Sequence, residues 1–236
     1  MTSWRTGAGS EIFQLLEGRS NSYLVSCNGT NLVVDTGRKN SRRHLVRSFK
    51  ARGIEEGSDL TLVLTHTHFD HAENALFLKE NYKARIIVHE KEAGYLAAGD
   101  SPLPAGTIVP TRVMMRLFAK RVQPFFRYAP VDADLPVQKA GTPEGLESAI
   151  SLLPVPGHST GSLAVIVDGE IALVGDAMFG ILPCSILPPF GNDLDEMKKS
   201  WDLLLESGCS LFLPGHGRAI KRERLAAVSA SSRKGR

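Results

Sequence analysis

The chain has 236 residues, 42% hydrophobic and 22% charged, an ordinary balance for a globular protein with room for one large domain or two small ones. A net charge of +3 gives the whole chain no general attraction for nucleic acid or an anionic membrane surface. No apolar run approaches the ~20 residues that a membrane helix needs.

In chain order, Glu11–Leu16, Asn21–Ser26 and Asn31–Asp35 are short β-favouring runs separated by Gly18 and by Asn28-Gly29-Thr30. Ser41–Arg52 reads as a basic amphipathic helix, with Leu45, Val46 and Phe49 inward and Gly53 as its stop. Leu60–Leu64 is a continuous apolar run of strand length, expected to be covered on both faces. A helix is expected over Ala72–Asn81 and another buried strand over Arg85–His89. Residues 90–143 read as an irregular insertion rich in proline and glycine. Within it, Thr111–Val122 is amphipathic. Arg112, Arg116 and Lys120 form one stripe, while Met114, Met115, Leu117, Phe118 and Val122 lie elsewhere. That segment is a candidate lid, subunit contact or plain surface helix.

Ala149–Pro154, Leu163–Val167 and Ile171–Val174 read as strands, the last two joined by the hairpin signal Asp168-Gly169. Asp193 can cap a helix over Asp193–Ser207, whose Leu194, Met197, Trp201, Leu204 and Leu205 share a face. Leu211–Leu213 is a last strand, and 218–236 is a basic tail expected to fray. Strands in runs with helices outside them predict a single α/β domain over 1–236. Its expected form is an αββα sandwich: two mixed β-sheets face to face, with helices on the outer faces. Cys27, Cys184 and Cys209 are scattered, without a C-x-x-C pair, so neither a disulfide framework nor a thiolate zinc site is expected. The start, Met1-Thr2-Ser3-Trp4-Arg5, has no signal-peptide character, and a reducing, cytoplasmic setting is the expectation.

The chemistry concentrates in seven side chains. His66, His68, Asp70 and His71 share one run of the form H-x-H-x-D-H; His158, Asp176 and His216 each follow a glycine. Five imidazoles and two carboxylates make a ligand set for two borderline divalent ions. His66 and His68 are two apart on an extended backbone, so their rings point the same way and can converge on one ion. Asp70 and His71 are adjacent and cannot continue that alternation, which places them for a second ion. His158 then completes the first ion, His216 the second, and Asp176 bridges. The remaining histidines, His44 on the basic helix and His89 at a strand end, carry no comparable context.

The H-x-H-x-D-H run, Gly157-His158-Ser159, Gly175-Asp176, Gly215-His216-Gly217 and Val33-Val34-Asp35-Thr36-Gly37 together resemble the motifs of the metallo-β-lactamase superfamily, over about Ser22 to Gly217. The resemblance implies the αββα fold with the metal site at one edge of the sheets. It implies His66, His68 and His158 on one ion, Asp70, His71 and His216 on the other, and Asp176 between them. It also implies a buried Asp35 that hydrogen-bonds the metal loop without touching metal.

The expected function is dinuclear metal-dependent hydrolysis of a small ester, thioester or lactone by a metal-bridging hydroxide, with Asp70 as proton carrier. Zinc is the expected metal, with iron and manganese as alternatives. Asp176 argues against antibiotic hydrolysis, because the true β-lactamases generally lack it. Asp176-Ala177-Met178-Phe179 is similar to a stretch of glyoxalase II, yet only 217–236 follow His216, where that enzyme carries a helical domain. Quorum-sensing lactonases are similar too but usually have tyrosine where Phe179 stands, and phenylalanine cannot hydrogen-bond a substrate carbonyl. Phe179, Ile181 and Leu182, within an apolar loop reaching Phe190, are expected to line the substrate pocket. The alternatives are a phosphodiesterase, a mononuclear iron oxidoreductase like the sulfur dioxygenases, and a non-catalytic metal-binding protein. The expected partner is a small-molecule substrate, with neither nucleic acid nor membrane; a homo-oligomer is compatible.

Overall fold

Leu163–Val167 and Ile171–Gly175 place apolar side chains on both faces of an extended chain, a pattern suited to a strand covered on each side. In the computed structural model, which describes residues 2–234, every residue of both strands is buried. The turn joining them is the expected hairpin, with Asp168 and Gly169 at φ 52° and 68° as a type I′ turn requires.

Two sheets form. The first has the order β1 (Ser3–Arg5), β2 (Glu11–Leu16), β3 (Ser22–Cys27), β4 (Thr30–Val34), β5 (Thr61–Val63), β6 (Arg85–His89), β7 (Leu135–Val137). It is antiparallel from β1 to β4 and parallel from β4 to β7. The second has the order β12 (Ile220–Lys221), β11 (Leu211–Pro214), β10 (Ile171–Gly175), β9 (Leu163–Val167), β8 (Ile150–Pro154), with only the β10–β11 pair parallel. The helices are α1 (Arg42–Lys50), α2 (Phe69–Ala72), α3 (Ala75–Tyr82), α4 (Glu90–Ala98), α5 (Val109–Val122), α6 (Leu194–Glu206) and α7 (Arg222–Lys234). Among the described residues, no helix is long and apolar enough to cross a membrane.

Three apolar layers follow from strand alternation. Leu32, Val34, Val63, Leu163, Val165 and Val167 meet between the sheets. Their neighbours Val33 and Leu62 face the other way, onto Leu45 and Phe49 of α1, Leu78 and Tyr82 of α3 and Leu96 of α4. Ala164 and Ile166 face Met197, Trp201 and Leu204 of α6 and Leu225 of α7. Each fully buried side chain of this size stabilises the fold by roughly 1.5–3 kcal/mol. The α/β sandwich of two mixed sheets with outer helices is therefore the fold. Asp193 caps α6 as expected, its Oδ1 accepting from the N–H groups of Asp195 and Glu196 at 2.9 Å each.

Some elements depart from the sequence reading. Residues 90–143 are not irregular throughout: they hold α4, α5 and the parallel strand β7. The tail does not simply fray. Ile220–Lys221 pairs with β11, and Arg222–Lys234 forms α7, because Leu225 and Val228, at helical spacing, pack on the α6 cluster. The helix expected from Ala72 begins at Phe69 and breaks at Glu73–Asn74, where the Asn74 side-chain amide donates to the carbonyls of Thr36, Gly37 and Arg38. The short strand β1 had no clear apolar signal in Ser3-Trp4-Arg5.

Candidate metal centre

Strands β4 and β5 run parallel, as do β10 and β11, so their carboxyl ends deliver loops to one edge of the sandwich. Leaving β5, Thr65 to His68 is non-helical backbone; α2 then turns Asp70 and His71 inward. The β8–β9 connection supplies His158, the end of β10 supplies Asp176 and the end of β11 supplies His216. Cross-bonds between the sheets fix these loops together. Leu163 N donates to Thr65 O at 2.7 Å, and Asn21 N donates to Gly215 O at 2.7 Å. The Asn21 side chain and the Tyr23 hydroxyl both donate to Pro214 O, at 2.9 and 2.8 Å.

All seven expected side chains come together. Their donor atoms form three overlapping groups, each within 4.8 Å: His66, His68 and His158; His66, His71 and Asp176; Asp70, His71 and His216. Asp176 faces both halves, with Oδ1 3.4 Å from His71 Nε2 and Oδ2 3.5 Å from His158 Nε2 and 3.4 Å from His216 Nε2. Asp70 Oδ2 lies 3.3 Å from His216 Nε2. The approach is close enough that a Cβ on Gly215 would stand 2.4 Å from Asp176 Oδ1 and 2.6 Å from His71 Cε1, so any larger residue there displaces the cluster.

These residues fit metal. His66 Nε2, His71 Nε2 and Asp176 Oδ1 are buried without a hydrogen-bond partner, and they belong to one of the three groups. A buried polar atom left unpaired costs about 1–3 kcal/mol. Such atoms, within 4.8 Å of one another, are accounted for by cations held among them, and imidazole with carboxylate suits borderline divalent ions. The opposite ring nitrogens are held in place. His71 Nδ1 pairs with Asp35 Oδ2 at 2.8 Å, His68 Nε2 with Pro102 O at 3.1 Å, His158 Nδ1 with Phe190 O at 3.0 Å and His66 Nδ1 with Thr65 Oγ1 at 3.1 Å.

Asp35 occupies the position the sequence suggested. It is buried at the end of β4 and bonds the metal loop, accepting from Thr65 N and Thr65 Oγ1 at 2.8 Å each. It takes φ 58°, a conformation that costs a non-glycine residue about 1–3 kcal/mol and persists where surrounding contacts impose it.

The sequence reading missed a second clamp. Glu92 of α4 is 1% exposed, and its Oε2 accepts from Thr67 N at 3.1 Å and Thr67 Oγ1 at 2.5 Å, while Oε1 accepts from Gly161 N at 3.2 Å. One carboxylate thus ties the His66–His68 loop to the loop of His158. Tyr128 OH and Ser101 Oγ both donate to Thr67 O, at 2.7 and 2.5 Å. The available signal was the helix-forming run Glu90-Lys91-Glu92-Ala93, which closes at Gly99. His89 takes no part in the cluster; its Nδ1 caps α4 by accepting from Lys91 N at 3.2 Å.

Charge within the cluster is divided. Burial drives His66 well below its ordinary pKa, takes His68 down to about 3 and lowers His158. Burial also opposes a charged His71 and His216, but Asp176 with the nearby carboxylates overcomes it, raising His71 well above normal and His216 to about 9. For Asp70 and Asp176, burial alone would raise the pKa; the adjacent imidazoles outweigh it and both carboxyls are lowered. Three rings are therefore held neutral, ready to donate lone pairs, and two rings hold protons that a cation would displace.

The cluster opens onto a cavity of about 710 Å³. Phe179 lines it, with its ring centroid 4.6 Å from that of His216. Ile181 and Leu182 do not line it: they are 58% and 56% exposed, because the chain after Gly180 runs outward and Arg224 holds the Leu182 and Ser185 carbonyls at the surface. From that loop, Pro189 and Phe190 reach the cavity instead. The facing wall comes from α5, through Met114, Met115, Phe118 and Val122.

Residues 15–216 match the family described as Metallo-beta-lactamase superfamily. The chain belongs to the metallo-beta-lactamase superfamily. It is 26% identical over 203 residues to the Probable metallo-hydrolase MJ0888 of Methanocaldococcus jannaschii, covering 84% of this chain and 87% of that one. Its superfamily fold is shared with a metallo-beta-lactamase of Cronobacter sakazakii bearing a HARLDQ motif, at TM-score 0.71 and 17% identity, over 100% of this chain and 92% of that one. It is shared also with TTHA1623 in a di-iron-bound form, at TM-score 0.60 and 22% identity, over 91% of this chain and 96% of that one. Where the Cronobacter protein is named for HARLDQ, this superfamily member reads His66-Thr67-His68-Phe69-Asp70-His71.

Proposed function

We propose that the chain is a dinuclear metal-dependent hydrolase of a small ester, thioester or lactone. One observation carries the reading: three buried donors without partners, His66 Nε2, His71 Nε2 and Asp176 Oδ1, sit within a seven-residue cluster that opens onto a cavity able to hold a small molecule. The name of the Methanocaldococcus relative, a metallo-hydrolase, supports it. Zinc is the metal proposed, because nitrogen and carboxylate donors suit it; iron, which TTHA1623 binds in the form named above, is the alternative that metal analysis decides.

His66, His68 and His158 would hold one cation, Asp70, His71 and His216 the second, and Asp176 would join them. When bound, such a pair supplies Lewis acidity that makes water a nucleophile near neutral pH and polarises an acyl oxygen. The protein's own groups do the rest. The apolar wall keeps bulk water from the acyl group. Asp70 stands at the cavity edge with a side chain 19% exposed, placed to take a proton from the attacking water and pass it to the departing alkoxide or thiolate. Water's oxygen forms the new bond to the acyl carbon, the bond to the leaving oxygen or sulfur breaks, and an acid and an alcohol or thiol leave. Phe179 offers no hydrogen bond, so it shapes the site and does not polarise the substrate.

The test is turnover of chromogenic esters, thioesters and lactones by protein of measured metal content, beside a phosphodiester. Two zinc per chain with ester or lactone turnover supports the reading. Preferred turnover of the phosphodiester, one iron per chain with oxidation of a persulfide, or two metals without any turnover would each replace it.

A further inference from the structure

The wall of the cavity has an unusual composition. Beyond the ligand residues it is made of Phe69, Leu103, Met115, Phe118, Phe190 and their apolar neighbours, and among the described residues no lysine, arginine, serine, threonine, asparagine, glutamine or tyrosine lines it. Apart from the proposed metal ligands, nothing in it can pair with a charge or a hydroxyl. We propose, resting on the hydrolase reading above, that this cavity selects acyl groups with an uncharged aliphatic chain and rejects those that carry an anion along the chain.

Two features support the selection. An anionic group drawn into the cavity would lose its water and find no partner on the wall. Arg38, whose guanidinium lies against the lining residue Phe69, 5.0 Å from the ring centroid, does not itself line the cavity. An aliphatic chain meets none of these costs.

The wall also says how the chain would be read. α5 has 14 residues and none is buried; its cavity-facing Met114 and Phe118 are 43% and 48% exposed. A bound chain would cover part of that surface, so each added methylene gains contact. Unbranched methionines fill irregular space without imposing one shape. The cavity therefore measures length and polarity more than branching.

The experiment uses the metal-loaded protein and p-nitrophenyl esters from acetyl through butyryl and hexanoyl to octanoyl, with matched esters ending in a carboxylate. The proposal expects kcat/KM to rise about fourfold for each methylene added until the cavity is full. It expects the carboxylate-ended ester to react about 10- to 100-fold more slowly than the alkyl ester of equal length. Met115→Lys, on a helix without buried positions, should flatten the length dependence and raise the rate on the carboxylate-ended ester. Turnover that ignores chain length, or that favours the carboxylate-ended ester in the unaltered protein, overturns the proposal and leaves hydrolysis standing. Absence of turnover on every ester overturns this inference, and absence on the thioesters and lactones as well overturns the hydrolase reading with it.

Discussion

At the ligand edge, His66 and His71 are 0% exposed, and the ring nitrogens they turn away from the cluster are bonded to Thr65 and Asp35. Across the cavity, α5 has no buried residue, and Val109 and Leu117 on its outer side stand 70% and 66% exposed. Both regions border the same cavity. Metal ligands must be held to a fraction of an ångström, which takes hydrogen bonds to every supporting atom and strands on either side. A wall that receives an apolar chain needs only surface, and a loosely packed helix supplies it. The proposed chemistry and the proposed choice of substrate thus rest on parts of the molecule with different burial, so each can be changed while the other is kept.

The sharpest way to break that division is at Asp176. Asp176→Ala removes the group that faces both halves of the cluster. Turnover should fall by more than about 1,000-fold, with loss of bound metal seen in elemental analysis. Acidity should act next. His216 is raised to about 9, so a cation must displace its proton at neutral pH. In protein stripped of metal, the fold keeps the full benefit of the charged His216 below pH 6.5 and loses it as pH rises through about 9, while cation affinity rises over the same window. Calorimetric titration in two buffers of different ionisation enthalpy should show proton release. Affinity should drop at least about tenfold per unit of pH lowered below 9, and a pH-independent affinity would contradict the charge assignment.

Asp35→Ala leaves every proposed ligand in place but frees His71 Nδ1 and Thr65 N. Metal affinity should weaken about 10- to 100-fold, read by competition with a chromogenic chelator. Glu92→Ala strands the buried N–H groups of Thr67 and Gly161. At about 1–3 kcal/mol for each donor, the thermal midpoint should fall by roughly 4–12 °C or more in a scanning melt. The smallest effect belongs to the other region. Leu117→Ser on the outer side of α5 should change stability by less than about 0.5 kcal/mol and leave metal content intact. A loss comparable with that of Glu92→Ala would show that α5 is packed as firmly as the ligand edge.

The sheets and the ligand set were legible because their signals are local. Both-faced apolar runs such as Leu163–Val167 state a covered strand, and H-x-H-x-D-H places four donors within six positions. The residues that support them were not legible. Glu92 lies far in sequence from both loops it joins, and nothing in a stretch rich in glycine and proline marks one of its glutamates as buried. Asn21 and Tyr23 secure the His216 loop across nearly the whole chain length, a pairing that only the packed sheets create. Ile181 and Leu182 show the reverse error. Within the apolar loop after Asp176, the bonds to Arg224 hold the Leu182 and Ser185 carbonyls at the surface, and the wall comes from Pro189, Phe190 and a helix whose apolar face had read equally well as a surface.

The most direct test of the account is the metal content and turnover of the purified protein before and after chelation. The account predicts two divalent ions per chain, loss of ester or lactone turnover when both are removed, and recovery of both on adding the metal back. A protein that takes up no divalent ion, or that hydrolyses its best substrate undiminished after chelation, would contradict it.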